Sequence, residues 1–243
     1  MKPSNKNKSK RDRKDVFGAH LLKGAEFDIE HYDIPFVDVP KNAALPKKLV
    51  PYSKIGSSKI DKNTFVHFYQ HDYVFDSLYG IWNSLLYDHQ SEKGFNLDKL
   101  KKLGGIICPD YSIYGDFPEA LKIWNVYRSR SIGYYLNSIG IPAFPNFHCN
   151  GPDSYSYCFG GLRKGTIVAV STLGCLKAKV DRQIFLPGLE ELIIRIKPKL
   201  IILYGSKNKE IEKLFVKYKQ KYLFFESDIS QFYGGKSHGN ESK

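Results

Sequence analysis

Asp110 and Asp116 stand six residues apart, and Arg128 follows on the next helical stretch. Two carboxylates that converge can act as a general base or hold a divalent cation. A guanidinium beside them can stabilise charge developing on a phosphate. These three are the candidate catalytic residues. Mg2+ or Mn2+ is the cation such a pair would take, although the residues leave the cofactor open. Ser112, Asn125, Arg130, Asn146, Ser171, Thr172 and Tyr204 are the candidate ligand-binding residues. Most of the set shares one property, which is that it directly follows a short apolar run. Ile107 leads to Pro109-Asp110-Tyr111-Ser112, Phe144 to Pro145-Asn146-Phe147-His148, Val170 to Ser171-Thr172-Leu173-Gly174, and Leu203 to Tyr204-Gly205-Ser206. If these runs are strands of a parallel sheet, their carboxyl ends form one edge, where α/β folds bind ligands. Pro, Gly, Ser and Asp also favour turns for backbone reasons alone. Four such ends together carry the reading of a shared site.

The elements that would position these residues are legible. Thr64–Phe68, Gly105–Cys108, Ile141–Phe144, Thr166–Val170, Leu200–Leu203 and Tyr222–Phe225 read as strands, and 76–87, 118–138, 187–197 and 208–219 as helices. In the helix 118–138, Asp116 suits the N-cap, Pro118 the first turn and Gly140 the stop. Leu121, Trp124, Ile132 and Tyr135 form its packing stripe. Arg128 and Arg130 point about 200° apart, with Arg128 nearer the stripe. A partly buried Arg128 needs a partner, and Asp110 or Asp116 is the expected one, against a ligand contact. The fold class is α/β: a mainly parallel sheet with flanking helices, open and doubly wound by first choice, a partial barrel by second. Continuous apolar strands place helices over the sheet.

The chain has 243 residues, with 37 Lys and Arg against 25 Asp and Glu, a formal charge of +12. Hydrophobic residues make up 42% and aromatics 14%, which supports a folded core. Residues 1–14 contain seven basic side chains and one acid, hence +6, and read as a mobile basic arm. Lys6, Lys8, Lys10, Arg11, Arg13 and Lys14 are its candidate phosphate contacts. Residues 15–60 read as an extended wrapping segment, 61–231 as a single α/β domain and 232–243 as a flexible tail. No apolar run approaches membrane-spanning length, and no apolar segment follows the N-terminal cations, so a cytoplasmic protein without a membrane partner is expected.

His148, Cys149, Cys158 and Cys175 match no zinc spacing, so no metal site is assigned to them. Gly160 to Gly165 precedes a strand rather than opening a helix and reads as a turn, not a phosphate loop. Three functions fit: a nucleic-acid-directed enzyme acting on a phosphodiester or base, a non-catalytic DNA- or RNA-binding replication, transfer or regulatory factor, and a nucleotide or small-ligand binder. Net charge favours nucleic acid as the partner.

The motifs Pro109-Asp110-Tyr111-Ser112, Asn125-x-Tyr127-Arg128-x-Arg130, Gly140-Ile141-Pro142-x-x-Pro145-Asn146 and Ser171-Thr172-x-Gly174 together resemble a domain family of unknown function found in bacteria, phages and integrative mobile elements. The resemblance spans about residues 100–206. It implies a phage or mobile-element context and marks the same candidate positions, but implies no mechanism. This chain departs from the family pattern in having Phe147-His148 where Trp is expected.

Overall fold

The computed structural model describes residues 18–56, 58–87 and 95–227. The arm cations Lys6 to Lys14 and the tail 232–243 lie outside the described residues. The first stretch, which holds short 3-10 turns but no α-helix, supplies an antiparallel pair, β1 (Phe27–Asp28) and β2 (Ile34–Pro35), and then β3 (Lys48–Pro51). After β3 come β4 (Thr64–His67), α1 (Ile81–Tyr87), α2 (Leu97–Lys101), β5 (Gly105–Ile107) and α3 (Glu119–Ser138). The second half holds β6 (Ala143–Phe144), β7 (Asn146–Phe147), α4 (Tyr155–Cys158), β8 (Ile167–Ser171), α5 (Lys179–Ile196), β9 (Leu200–Gly205), α6 (Lys209–Lys217) and β10 (Tyr222–Glu226).

From β3 onward every strand pairing is parallel, and the strands lie side by side in chain order. Two four-stranded ladders meet at Pro145. The Cys108 N–H donates to the Phe144 carbonyl on one side, and the Ala169 N–H donates to the Pro145 carbonyl on the other. Proline has no N–H to continue a ladder. The stretch 143–147 therefore pairs with β5 through its first half and with β8 through its second. The strand order never reverses, whereas a doubly wound sheet reverses at its switch point. Of the two architectures expected, the partial barrel is the one this topology matches.

Packing agrees. Phe65, Ile107, Phe144, Ile167, Ala169 and Ile202, drawn from both ladders, form one inner core to which no helix contributes. Their neighbours along the strands face outward instead. Val66 and Ile106 pack under α1, α2 and the end of α3, and Val168, Val170, Ile201 and Leu203 under α5 and α6. With both faces covered, alternation of polar and apolar residues disappears, which is why the strands read as continuous apolar runs.

Helix α3 touches both outer clusters, Ile132 and Leu136 in one and Val126 in the other. It lies so close to β5 that a Cβ at Gly133 would come within 2.5 Å of the Cys108 sulfur. Gly140, at φ 83°, ends it as expected. Its N-cap is Pro118, with no side-chain cap, and Asp116 is exposed in the loop before it. Two further boundaries differ from the sequence reading. The region 76–87 is helical only from Ile81, after a tight turn at Asp72–Val74. Helix α5 begins at Lys179 and carries Pro187 inside it. Its fully buried residues all follow Pro187, so the apolar spacing starts late and the proline mimics a helix start.

Candidate functional site

The strand-end edge converges on Asn146, the first residue after Pro145. Its side chain is buried and sits in one hydrogen-bond chain. The Tyr69 hydroxyl donates to Asn146 Oδ1 at 2.8 Å, and Asn146 Nδ2 donates to Asp110 Oδ1 at 2.7 Å. Burial holds the Tyr69 phenol well above its ordinary titration range, so it stays a donor and dictates which way the amide faces. His148 Nδ1 donates to the same Asp110 oxygen at 3.2 Å. Asp110 occupies Nδ1, so the neutral imidazole keeps its lone pair on Nε2, as a general base requires. The His148 side chain is 41% exposed and Asp110 20%. Burial opposes protonation of His148, but the Asp110 charge, their hydrogen bond and the Asp72 charge outweigh it and raise the imidazole above its ordinary value of 6.5.

Asp110, Asn125, Arg130, Asn146 and His148 line a cleft with about 260 Å3 of empty space. A second cleft of about 240 Å3 also has His148 in its wall and is lined by Cys149, Ser171 and Phe185 among others. The structure thus brings together Asp110, Asn125, Arg130 and Asn146 of the expected residues, and places Ser171 in the second cleft, which shares His148 with the first.

The arginines reverse the roles expected of them. Arg130 is the more deeply buried, at 2% exposure. Its Nε donates to the Gly160 carbonyl, Nη1 to the Asn146 carbonyl at 2.7 Å, and Nη2 to the Cys158 carbonyl. Burial lowers its pKa, while nearby thiols and Asp110 offset that. Asn146 therefore links this cation to Asp110, its main chain accepting from Arg130 and its side chain donating to the carboxylate. Arg128 approaches neither Asp110 nor Asp116. It closes on Asp76, Nη2 to Oδ2 at 2.7 Å and Nη1 to Oδ1 at 2.9 Å, while its Nε and Nη2 also donate to Asn125 Oδ1. The guanidinium lies 3.7 Å from the Tyr111 ring centre. The partner is Asp76 rather than the expected Asp110 or Asp116, because the loop after β4, which carries Asp72 and Asp76, is also a strand end and reaches α3.

The remaining candidates hold backbone. Ser112 donates from its N–H and its hydroxyl to Asp72, and its carbonyl accepts from Asn125. Burial raises the Asp72 carboxyl, opposed by those two bonds and assisted by the charges of Asp110 and Asp76. Thr172 Oγ1 accepts from the Ser206 N–H and donates to the Ser206 carbonyl, clipping the ends of β8 and β9 together. Tyr204 is buried in the inner core, stacks on Tyr69 at 5.2 Å and packs at a tilt against His67 at 4.3 Å. It supports the site from below rather than lining the cleft. Asp116 is exposed and is not drawn in. Among the described residues, no three His, Cys, Asp or Glu side chains are grouped to hold a metal ion. The site residues missed from sequence are Tyr69, Asp72, Asp76 and His148. All four lie just past the ends of β4 and β7, so strand-end position was the signal that could have found them.

The fold and site define a barrel-like parallel α/β protein with an aspartate–histidine pair at its strand ends. The chain belongs to the family described as domain of unknown function DUF4417, whose model matches residues 26–222. It is also similar to the Gene 1 protein of Mycobacterium phage L5, 37% identical over 141 residues, covering 58% of this chain and 57% of that protein. The Gene 1 protein of Mycobacterium phage D29 is 37% identical over 140 residues, 58% of this chain and 48% of that protein. The chain spans about half the length of these relatives. No solved structure matches it. Among the described residues, no helix is long and apolar enough to cross a membrane.

Proposed function

We propose that this phage-related protein binds nucleic acid. The observation that carries the reading is the charge, +12 overall with +6 of it in residues 1–14. A tract of that charge density is suited to neutralising phosphates and releasing their counterions. The test is a binding series with single- and double-stranded DNA and RNA at increasing salt. The logarithm of affinity should fall linearly with the logarithm of salt concentration. Deleting residues 1–14 should flatten the slope by roughly 0.7–0.9 per lost contact, equally for all sequences. Absence of salt-dependent binding would overturn the reading.

The Asp110–His148 pair favours a second reading, in which the cleft catalyses acid–base chemistry on a phosphodiester or a base. Asp110 orients the ring and stabilises its protonated form, and Nε2 accepts the proton. A divalent cation at Asp110 would draw its other ligands from substrate phosphates and water. Arg130 is committed to three carbonyls, so the cleft offers no further guanidinium to a phosphate. Cleavage and deamination assays with Mg2+, Mn2+ or EDTA test this reading. His148→Asn should lower any such activity at least about a hundredfold while leaving the protein folded.

A further inference from the structure

The amino ends of the strands lie at the opposite edge of the sheet from the Asp110–His148 cleft, and they concentrate positive charge. One lysine stands at the start of each of six parallel strands: Lys48 opens β3, and Lys62, Lys102, Lys164, Lys199 and Lys221 precede β4, β5, β8, β9 and β10. All six are exposed. None takes part in an ion pair among the described residues, and of the six Lys62 donates to the Lys101 and Leu103 carbonyls. The stretches 45–48, 59–63, 101–104, 161–166, 197–199 and 218–221 each carry two Lys or Arg, and Asp61 is their single acid, although Arg163 pairs with Glu26 and Asp38 and Lys101 with Asp98 from outside them. The loops 68–80 and 108–118 at the other edge contain four Asp and no Lys or Arg, and the lysines of that edge, Lys177, Lys179, Lys207 and Lys209, follow β8 and β9.

Topology gathers these cations. The strands β3, β4 and β5 are neighbours, as are β8, β9 and β10, and adjacent strands lie about 4.8 Å apart. Two groups of three lysines therefore flank the shared strand 143–147. Since both ladders close over one inner core, the groups stand on one curved rim. Helix dipoles explain only part of this charge. Cations suit helix carboxyl termini, which accounts for Lys101 at the end of α2 and Lys217 at the end of α6. No helix ends just before Lys48 or Lys164, and Lys199 and Lys221 lie past their helices. Lys197 and Lys219 even occupy left-handed positions, φ 49° and 51°, that glycine fills at lower cost.

We propose that this rim is the surface on which the folded domain binds the phosphodiester backbone of a nucleic acid. The inference rests on the nucleic-acid reading above and adds a location, separate from the cleft. An anionic membrane fits less well. A polybasic patch needs a second, apolar anchor to hold a bilayer, and the large apolar residues exposed in or next to these stretches, Leu45, Ile139, Ile194 and Val216, come singly from four separate segments.

The test uses the full chain and two matched variants. One combines Lys102→Gln, Lys199→Gln and Lys221→Gln on the rim. The other combines Lys177→Gln, Lys179→Gln and Lys209→Gln, exposed lysines that follow β8 and β9 at the cleft edge. Both lose three charges, so any difference between them is local. The rim variant should flatten the salt slope by about 2 to 3 and bind at least about tenfold more weakly near 0.1 M salt, and the control should change the slope by less than about 1. Melting curves check folding. The single variants Lys199→Gln and Lys221→Gln, each expected to lower the slope by about 0.7–0.9, serve if the triple does not fold. Equal slopes in the two triples, with wild-type binding intact, would overturn the rim alone. No salt-dependent binding by the wild-type chain would overturn the functional reading itself. Binding of phosphatidylserine vesicles that is lost in the rim variant, with nucleic-acid affinity unchanged, would also overturn the proposal.

Discussion

Arg128 grips Asp76 at two points, 2.9 and 2.7 Å, across 52 residues of chain. Their side chains are 12% and 19% exposed, and the guanidinium also covers Tyr111. The pair ties α3 to the loop after β4, beside the Asp72–Ser112 bonds that tie the same loop to the one after β5. Two strand-end loops are thus joined by charge and hydrogen bonds in addition to the packing of Phe75 on Tyr111, which together hold Asp110 in place.

Arg128→Ala should therefore act on stability. Removing one partner strands a largely buried carboxylate, and a loss of about 3 kcal/mol is expected. Asp76→Asn should cost less, because the amide still accepts one bond. A double-mutant cycle read by urea unfolding should give a clear coupling energy. Additive losses would show the pair to be energetically idle.

Arg130→Met should also destabilise, by at least about 3 kcal/mol, since three carbonyls lose their donor, each at roughly 1–3 kcal/mol. Arg130→Lys should not restore stability, because one ammonium cannot span Asn146, Cys158 and Gly160. Full rescue by lysine, measured in thermal melts, would contradict the fork geometry.

The His148 titration has a definite sign. Its folded value lies above 6.5, so the charged pair with Asp110 stabilises the fold fully below about 6.5, and that contribution fades as pH rises through the folded value. Ring-proton NMR should find the midpoint above 6.5 in the wild-type chain. In Asp110→Asn the midpoint should fall, because burial, which opposes protonation, is no longer outweighed by the nearest charge. An unmoved midpoint would dissociate the two residues.

The thiols should be sluggish. Burial pushes Cys108 and Cys175 up to about 12 and Cys149 to about 11, and raises Cys158 as well. Iodoacetamide at pH 8 should label the native protein slowly and reach Cys175 first, since the other three are buried. Rapid labelling of Cys108 or Cys158, followed by peptide mass spectrometry, would show that the inner layers open.

The strands at Ile106, Ile167 and Leu200 and the α3 helix were legible because each is a long apolar or periodic signal with a clear stop. The strand β3 was not, since Lys48–Pro51 mixes a charge and a proline with two apolar residues. Asp110 and Asn146 were legible as a group because residues that follow parallel strands share an edge, and Asn125 and Arg130 because the helix that carries them begins at that edge. Asp116 follows the same strand yet stays exposed, because a loop of that length can turn its side chain either way.

The amino-acid sequence by itself determined the parallel α/β class, the edge on which polar groups gather and the excess of positive charge. These follow from local rules: apolar runs, caps, turn residues and composition act within a few residues of where they are read. Only the tertiary structure decided which carboxylate meets which arginine, that His148 rather than Asp116 joins Asp110, and that the strands keep chain order around one inner core. Those choices depend on the curvature of the sheet and on where Pro145 interrupts its pairing. Arg128 and Arg130 are separated by a single residue, and the wall each faces settles whether its cation is met by a carboxylate or by three carbonyls.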